Sequence, residues 1–475
     1  MMMELRTNPY HPNVLEDLHS AAYVSVPFAG RKDALGRLYQ QMNQGTPGAT
    51  RSLCFVGRRH GGKTALLLAL NDALNDTTAG ARIFLDHSSP EDETDWILML
   101  AQSVTEAMIE QDAPLGRLNE LTPPDVEQGE DVRAWLVDRF LPIAFQALKR
   151  RLVIFIDDAE HLLNGMRSGS LPYDTFSFLH VLVEAFPDLG FVLTLDAEYE
   201  PEIDSLSPLI GLQDSVRLTN LAPDETRWLL QSPAEGCYTV TDDAAAAVQR
   251  LTGGTPALAQ HVGFLLFERW LDQPDIAVFT ADDIRALSAD IQRYGEADAK
   301  YNYVRLTPNE KRVLMAVSQL TYANPLKKVD PQSIVSWLAE SDHPLDLTAI
   351  HAALRGLEYA DIVRAAPDGV VIASGVMQTW LLENSGRVPS VPSAGGPLPA
   401  IPRPTRATST FDPFADEVPV SGTRRGVPVR RALLMALGAA VLGALTAIVV
   451  FSAPPQTATT VRLAPTVTLA NTPTQ

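Results

Sequence analysis

Leu53-Cys54-Phe55-Val56-Gly57-Arg58-Arg59-His60-Gly61-Gly62-Lys63-Thr64-Ala65-Leu66-Leu67-Leu68-Ala69-Leu70 decides the fold. A short apolar run enters a glycine-rich turn, and the turn enters a second apolar run. Strand, loop and helix in that order are the setting a phosphate-binding loop requires. Glycines let the backbone curl so that successive N–H groups point inward at phosphate oxygens. A helix opening at Lys63 adds the positive end of its dipole. Gly57, Arg58, Arg59, His60, Gly61, Gly62, Lys63, Thr64 and Ala65 are therefore the expected nucleotide-binding residues. In that arrangement Lys63 reaches the β- and γ-phosphates and the Thr64 hydroxyl ligates Mg²⁺. The bland alternative is a glycine turn ahead of a buried helix.

Around this loop, residues 51 to 220 alternate strand-like and helix-like patterns, which implies a parallel sheet with helices on both faces. The expected strands are 52–56, 82–86, 152–157, 191–195 and 215–218, giving an α/β P-loop NTPase core with a parallel five-stranded sheet. Leu152-Val153-Ile154-Phe155-Ile156-Asp157-Asp158 is continuously apolar and ends in paired acids, as a central strand buried on both faces reads. Acids at the C-terminal end of such a strand lie at the sheet edge where ligands bind. Asp157 is the expected Mg²⁺-side carboxylate. Asp158 is the candidate for polarising the attacking water, with Glu160 as its substitute. The residues between 88 and 150 form a long, mostly helical stretch that reads as an insertion.

The bulk numbers bound the rest. A chain of 475 residues exceeds one ordinary core. A formal net charge of −19 argues against a generic nucleic-acid binder. Two cysteines, Cys54 and Cys237, make neither a disulfide framework nor a metal-ligand pattern. No secretory signal stands at residues 1–23, which are polar and broken by proline. The apolar segment is at the other end: residues 432–451 read ALLMALGAAVLGALTAIVVF, uncharged throughout and long enough to cross a bilayer core. Arg424-Arg425 and Arg430-Arg431 precede it, which sets the N-terminal globular part on the cytoplasmic side of a single-pass membrane protein.

The expected domains are an approach segment (1–50), the ATPase core (51–220), a helical lid (221–300), a winged-helix domain (301–385), a Pro-rich flexible linker (386–431), the transmembrane helix (432–451) and a short extracytoplasmic tail (452–475). The lid is marked by acid-rich helix starts and by Gly253-Gly254-Thr255-Pro256, where glycines end one helix and proline opens the next. In the third unit, three helical patterns precede Pro367-Asp368-Gly369, a hairpin turn signal, and that order describes a winged helix. Its third helix carries one arginine and one histidine between residues 348 and 357, fewer cations than phosphate contacts need. Protein partners or self-assembly are favoured over DNA for this unit.

With these residues in view, the chain resembles the STAND-type P-loop ATPases, in the bacterial and archaeal branch close to the origin-recognition-like AAA+ ATPases. The matching elements are Asn8-Pro9-Tyr10, Phe28-Ala29-Gly30-Arg31, the loop Gly57–Thr64, Ile154–Asp158 and Thr252–Pro256, followed by a winged helix. The resemblance implies ATP and Mg²⁺ as ligands and slow hydrolysis that controls how lid and winged helix pack. It implies that Pro256 lies near the nucleotide and that Arg31 lies on the adenine side. Two departures stand out. Thr255-Pro256 occupies the place of a sensor arginine, and Thr194 is the only polar candidate for a γ-phosphate sensor on the fourth strand. The leading expectation is a membrane-anchored regulatory ATPase switch. A winged-helix DNA-binding ATPase tethered to the membrane and an inert nucleotide-bound scaffold are the alternatives.

Overall fold

The computed structural model describes residues 7–10, 28–30, 36, 52–74, 76–85, 89–125, 128–211, 214–322, 324, 327–339 and 344–384. By compactness the chain divides into Met1–Ala400 and Ile401–Gln475, and every described residue lies in the first unit. The expected linker, membrane span and tail, and Arg31, all lie outside the described residues. Among the described residues no helix is long and apolar enough to cross a membrane.

Five strands form a parallel sheet: β1 (Leu53–Gly57), β2 (Thr78–Phe84), β3 (Arg151–Asp157), β4 (Leu189–Asp196) and β5 (Ser215–Leu218), in the order β2-β3-β4-β1-β5. This parallel α/β sheet fits the expected P-loop NTPase core, with β4 inserted between the loop-bearing strand and the acid-bearing strand. Alternate residues of the central strands point to opposite faces. Leu53, Phe55, Val153, Phe155 and Val192 pack with Leu66, Leu67 and Leu70 of α1 (Lys63–Asp72). Cys54, Val56, Ile154, Ile156, Leu193 and Leu195 belong to the larger core on the other face. That core also takes in Trp96, Ile97 and Leu100 of α2 (Glu93–Glu110), Leu141 and Ala144 of α3 (Leu141–Leu148), and Leu179 and Leu182 of α5 (Thr175–Ala185), which follows α4 (Glu160–Ser168). The stretch expected to be an insertion thus carries helices that cover a sheet face. Within that mostly helical stretch Trp135–Phe140 is π-helical.

β2 begins at Thr78, four residues before the expected start at 82. Thr78-Ala79-Gly80-Ala81 has little intrinsic strand preference, and packing decides it. A Cβ at Gly80 would come within 2.0 Å of Asn71 Oδ1 and 2.9 Å of Leu74 Cδ1. The strand lies flush against the end of α1 because it has no side chain there.

The region expected to be a lid follows: α6 (Pro223–Gln231), α7 (Asp242–Thr252), α8 (Pro256–Asp272), α9 (Ala281–Ala286) and α10 (Ser288–Arg305), with β6 (Thr239–Val240) and β7 (Val278–Phe279) making a small parallel pair. Beyond it come α11 (Pro308–Leu320), α12 (Pro331–Ala339), α13 (Leu347–Tyr359), the antiparallel hairpin β8 (Val363–Ala366) and β9 (Gly369–Ile372), and α14 (Gly375–Asn384). Thr307 and Glu310 close a reciprocal cap at the start of α11. The expected boundary at residue 300 falls inside α10, which runs unbroken to Arg305. α10 meets α14 along its length: the Tyr303 and Trp380 rings are 5.2 Å apart, and Gln292 Nε2 donates to Val376 O at 3.1 Å. Leu258 and Val262 of the lid share one core with Val313, Ile350 and Leu381.

The turn between α7 and α8 needs its glycines. Gly253 (φ +69°) ends α7 in the left-handed region, and Gly254 (φ +80°) follows in the same region. A Cβ on Gly254 would lie 2.3 Å from Leu221 O, which accepts from Gln249 Nε2 at 3.0 Å. Gly254→Ala is expected to lower stability by at least about 2 kcal/mol, combining the left-handed penalty with a backbone clash. Thermal unfolding followed by circular dichroism checks it.

Candidate functional site: a phosphate loop facing four carboxylates

The loop is shaped by backbone turns of its own. Gly61 N–H donates to Arg58 O at 2.9 Å, His60 sits at φ +62°, and Gly62 caps α1 in the left-handed conformation (φ 81°, ψ 28°). α1 then starts at Lys63, whose side chain is only 8% exposed. Its Nζ lies 3.4 Å from Gly57 O, 3.5 Å from Asp158 Oδ1 and 3.8 Å from Asp196 Oδ2. Burial pulls the Lys63 pKa down, but Asp158, Asp196, Glu160 and Asp157 outweigh it and hold the ammonium above its ordinary value.

The acid side comes from the ends of β3 and β4. Thr64 Oγ1 donates to Asp157 Oδ2 at 2.5 Å, and Thr194 Oγ1 donates to Asp157 Oδ1 at 2.5 Å. The Asp158 N–H donates to Thr194 Oγ1 at 2.8 Å, which holds Asp158 in the left-handed region at φ +54°. Asp157 is 1% exposed, and burial together with Asp158 raises its pKa to about 6. Glu160 is pushed up to about 7 by burial, with Lys63 pulling the other way. It accepts the Asp196 N–H at 3.1 Å.

The structure therefore brings Gly57, Lys63, Thr64, Asp157, Asp158, Glu160 and Thr194 together at the C-terminal edge of the sheet. Thr194, expected to sense the γ-phosphate, is placed between the two acids. The side chain is fully buried, and its hydroxyl is spent between Asp157 and the Asp158 N–H. It positions the two acids. Asp196, two residues further along β4, faces Lys63 instead, because the register sets it opposite Gly57. Sequence reading missed it, although Leu193-Thr194-Leu195-Asp196 ends an apolar strand in an acid just as β3 does.

Thr64 and Asp157 also suit Mg²⁺. Their hard oxygens meet at one point, and Mg²⁺ is held by one or two carboxylates plus substrate phosphates and water, with no all-protein cage. Among the described residues no group of three or more His, Cys, Asp or Glu side chains is placed to hold a metal.

The far side of the loop touches the lid and the third unit. Ala257 N–H donates to His60 O at 3.4 Å, which sets Pro256 beside the loop. His60 Nδ1 lies 3.3 Å from Asp298 Oδ1 on α10. Arg59 lies over the Tyr301 ring at 5.2 Å, with Arg305 3.6 Å from the same ring. Arg58 donates to Ala360 O at 2.5 Å, at the C-terminal end of α13. From β5, Arg217 donates to Tyr359 O at 2.5 Å and stacks on its ring at 3.5 Å. Arg364 on β8 donates to Gly253 O, and Ser374 Oγ donates to Leu251 O at 3.1 Å. None of these partners was legible as such. The N-terminal motifs also find places: Phe28 packs on the β1–α1 core, Ala29 packs with Leu221 and Ala259, and the Tyr10 hydroxyl donates to Leu230 O at 2.6 Å.

No family model matches the chain. No curated protein matches it either. Among solved structures, a Walker-type ATPase of Pyrococcus abyssi is similar over 75% of this chain and 98% of its own, at 16% identity and a TM-score of 0.49. Cdc6p from Pyrobaculum aerophilum covers 78% and 98%, at 16% identity and 0.40. The RuvB Holliday junction branch migration motor of Thermotoga maritima covers 73% and 92%, at 12% identity and 0.36. At these identities and scores each is a likeness of general fold alone.

Proposed function

We propose that the protein binds ATP·Mg²⁺ in the Gly57–Thr64 loop and hydrolyses it slowly, as a switch whose nucleotide state governs the packing of lid and third unit and hence assembly. The observation that carries this reading is the double engagement of the loop. Its inner side presents Lys63 and Thr64 to the acids, while its outer side bonds the lid through His60 O and the end of α13 through Arg58. A loop that reshapes around phosphate must disturb both outer contacts.

In this proposal Lys63 carries the β- and γ-phosphates, and Thr64 with Asp157 holds the metal, which neutralises phosphate charge when bound. Thr194 fixes Asp157, and Asp158 orients the attacking water with Glu160 behind it. Arg58, Arg59, His60, Ala65 and Pro256 shape the remaining rim. The third unit, three helices and a hairpin, acts as a winged-helix element turned toward protein. The exposed face of α13 offers Arg355 and His351 beside Glu358, a weak footprint for a phosphate backbone. The apolar, arginine-preceded sequence 432–451 supports a membrane anchor at the cytoplasmic face.

Titration with ATP and Mg²⁺ is expected to saturate one site per chain. Light scattering is expected to report a larger assembly with a non-hydrolysable ATP analogue than with ADP. Absence of binding removes the proposal, and binding with an unchanged molecular mass removes the assembly step.

A further inference from the structure

Resting on the nucleotide-binding reading above, we propose that Asp196 is a built-in rival of the terminal phosphate for Lys63 and biases the site toward nucleoside diphosphate over triphosphate. Four carboxylates, those of Asp157, Asp158, Glu160 and Asp196, act on the one buried ammonium. Asp157 has its own task beside Thr64, and Asp158 lies on the water side. Asp196 is locked in its aim at Lys63. Its Oδ1 accepts the Glu198 N–H at 3.0 Å and so caps the 3₁₀ segment Ala197–Leu206. Its own N–H is tied to Glu160 at 3.1 Å, and its Cα is held opposite Gly57 by the β1–β4 register. The remaining oxygen, Oδ2, lies 3.8 Å from Lys63 Nζ in a site where Asp196 is 9% exposed.

A carboxylate held in this way cannot retreat without uncapping the turn. The loop backbone cradles the inner phosphates, while the lysine tip reaches the outer ones. A fixed negative charge at the lysine tip therefore opposes the γ-phosphate more than the α- and β-phosphates. The arginines paired with this segment are engaged by its other acids, Arg305 with Glu198 at 2.8 Å, Arg217 with Glu200 and Arg167 with Glu202, so none of these pairs neutralises Asp196.

Asp196→Asn is the informative variant, because the amide keeps an oxygen to accept from Glu198 while the charge is lost. Calorimetric titration of the full chain with ATP·Mg²⁺ and with ADP·Mg²⁺ is expected to show ATP binding about tenfold tighter than in wild type, with ADP improved by less than about threefold. Asp196→Glu, which keeps the charge, is expected to retain the wild-type ratio. A purely structural cap would shift both nucleotides by one factor, and that result, or no change in either, overturns the proposal while leaving the nucleotide site intact. Failure of wild type and Asp196→Asn alike to bind either nucleotide would instead overturn the site itself and the proposal with it.

Discussion

Lys63→Ala is expected to lower ATP affinity by about two to four orders of magnitude, since charge-assisted hydrogen bonds contribute about 1.5–3 kcal/mol each and the lysine would make two. Among the described residues neither loop arginine is free to replace it. Arg58 is committed to Ala360 O, and Arg59 faces Tyr301. Loss of the ammonium also leaves Asp158 and Asp196 without their common cation. The variant is therefore expected to lose stability as well, by about 3–5 kcal/mol if the acids stay ionised, and less where they protonate. Equilibrium binding together with thermal melts separates the two effects. Wild-type affinity in a folded Lys63→Ala protein would remove the phosphate-loop reading at its foundation.

The second large effect is on turnover. Asp158→Asn is expected to slow ATP hydrolysis by about 10²–10⁴-fold, the usual contribution of a positioned acid or base, while ATP binding is kept or improved. Asparagine is the right replacement for a backbone reason. Asp158 sits at φ +54°, and asparagine tolerates the left-handed region where alanine would add strain of its own. The Asp158 N–H to Thr194 bond does not depend on the side chain and survives the change. Single-turnover phosphate release measured with ATP pre-bound reads the chemical step alone. Unchanged release would pass the role to Glu160, which is half-buried, acts on Lys63 and is the next acid along the chain.

Much of the site was legible because its signals are local. Gly57–Thr64 and Leu152–Asp158 each announce strand, turn and ligand group within a few residues, and both stand where they were expected. Helix starts were legible for the same reason, as at Thr307-Pro308 and Thr255-Pro256. Where reading failed, the cause was pairing between distant segments. β2 recruited Thr78–Ala81 against their propensity because β3 offered a ladder and Gly80 allowed close approach. The boundary at residue 300 failed because α14 returns from residue 375 to pack on α10, and nothing in the sequence of α10 itself reports that.

The amino-acid sequence by itself determined the strand, glycine turn and helix around Gly57–Thr64, the paired acids of β3, the α/β class and the order of three helices and a hairpin in the third unit. These follow from short-range chemistry: glycine freedom, alternation of apolar faces, and caps. Only the tertiary structure decided that β4 lies between β1 and β3, and that insertion has two consequences for the site. It turns Thr194 onto Asp157 and delivers Asp196 to Lys63. It was likewise tertiary packing that tied Arg58, a loop residue, to the end of α13 about three hundred positions away, a pairing set by the sum of many contacts and by no local pattern.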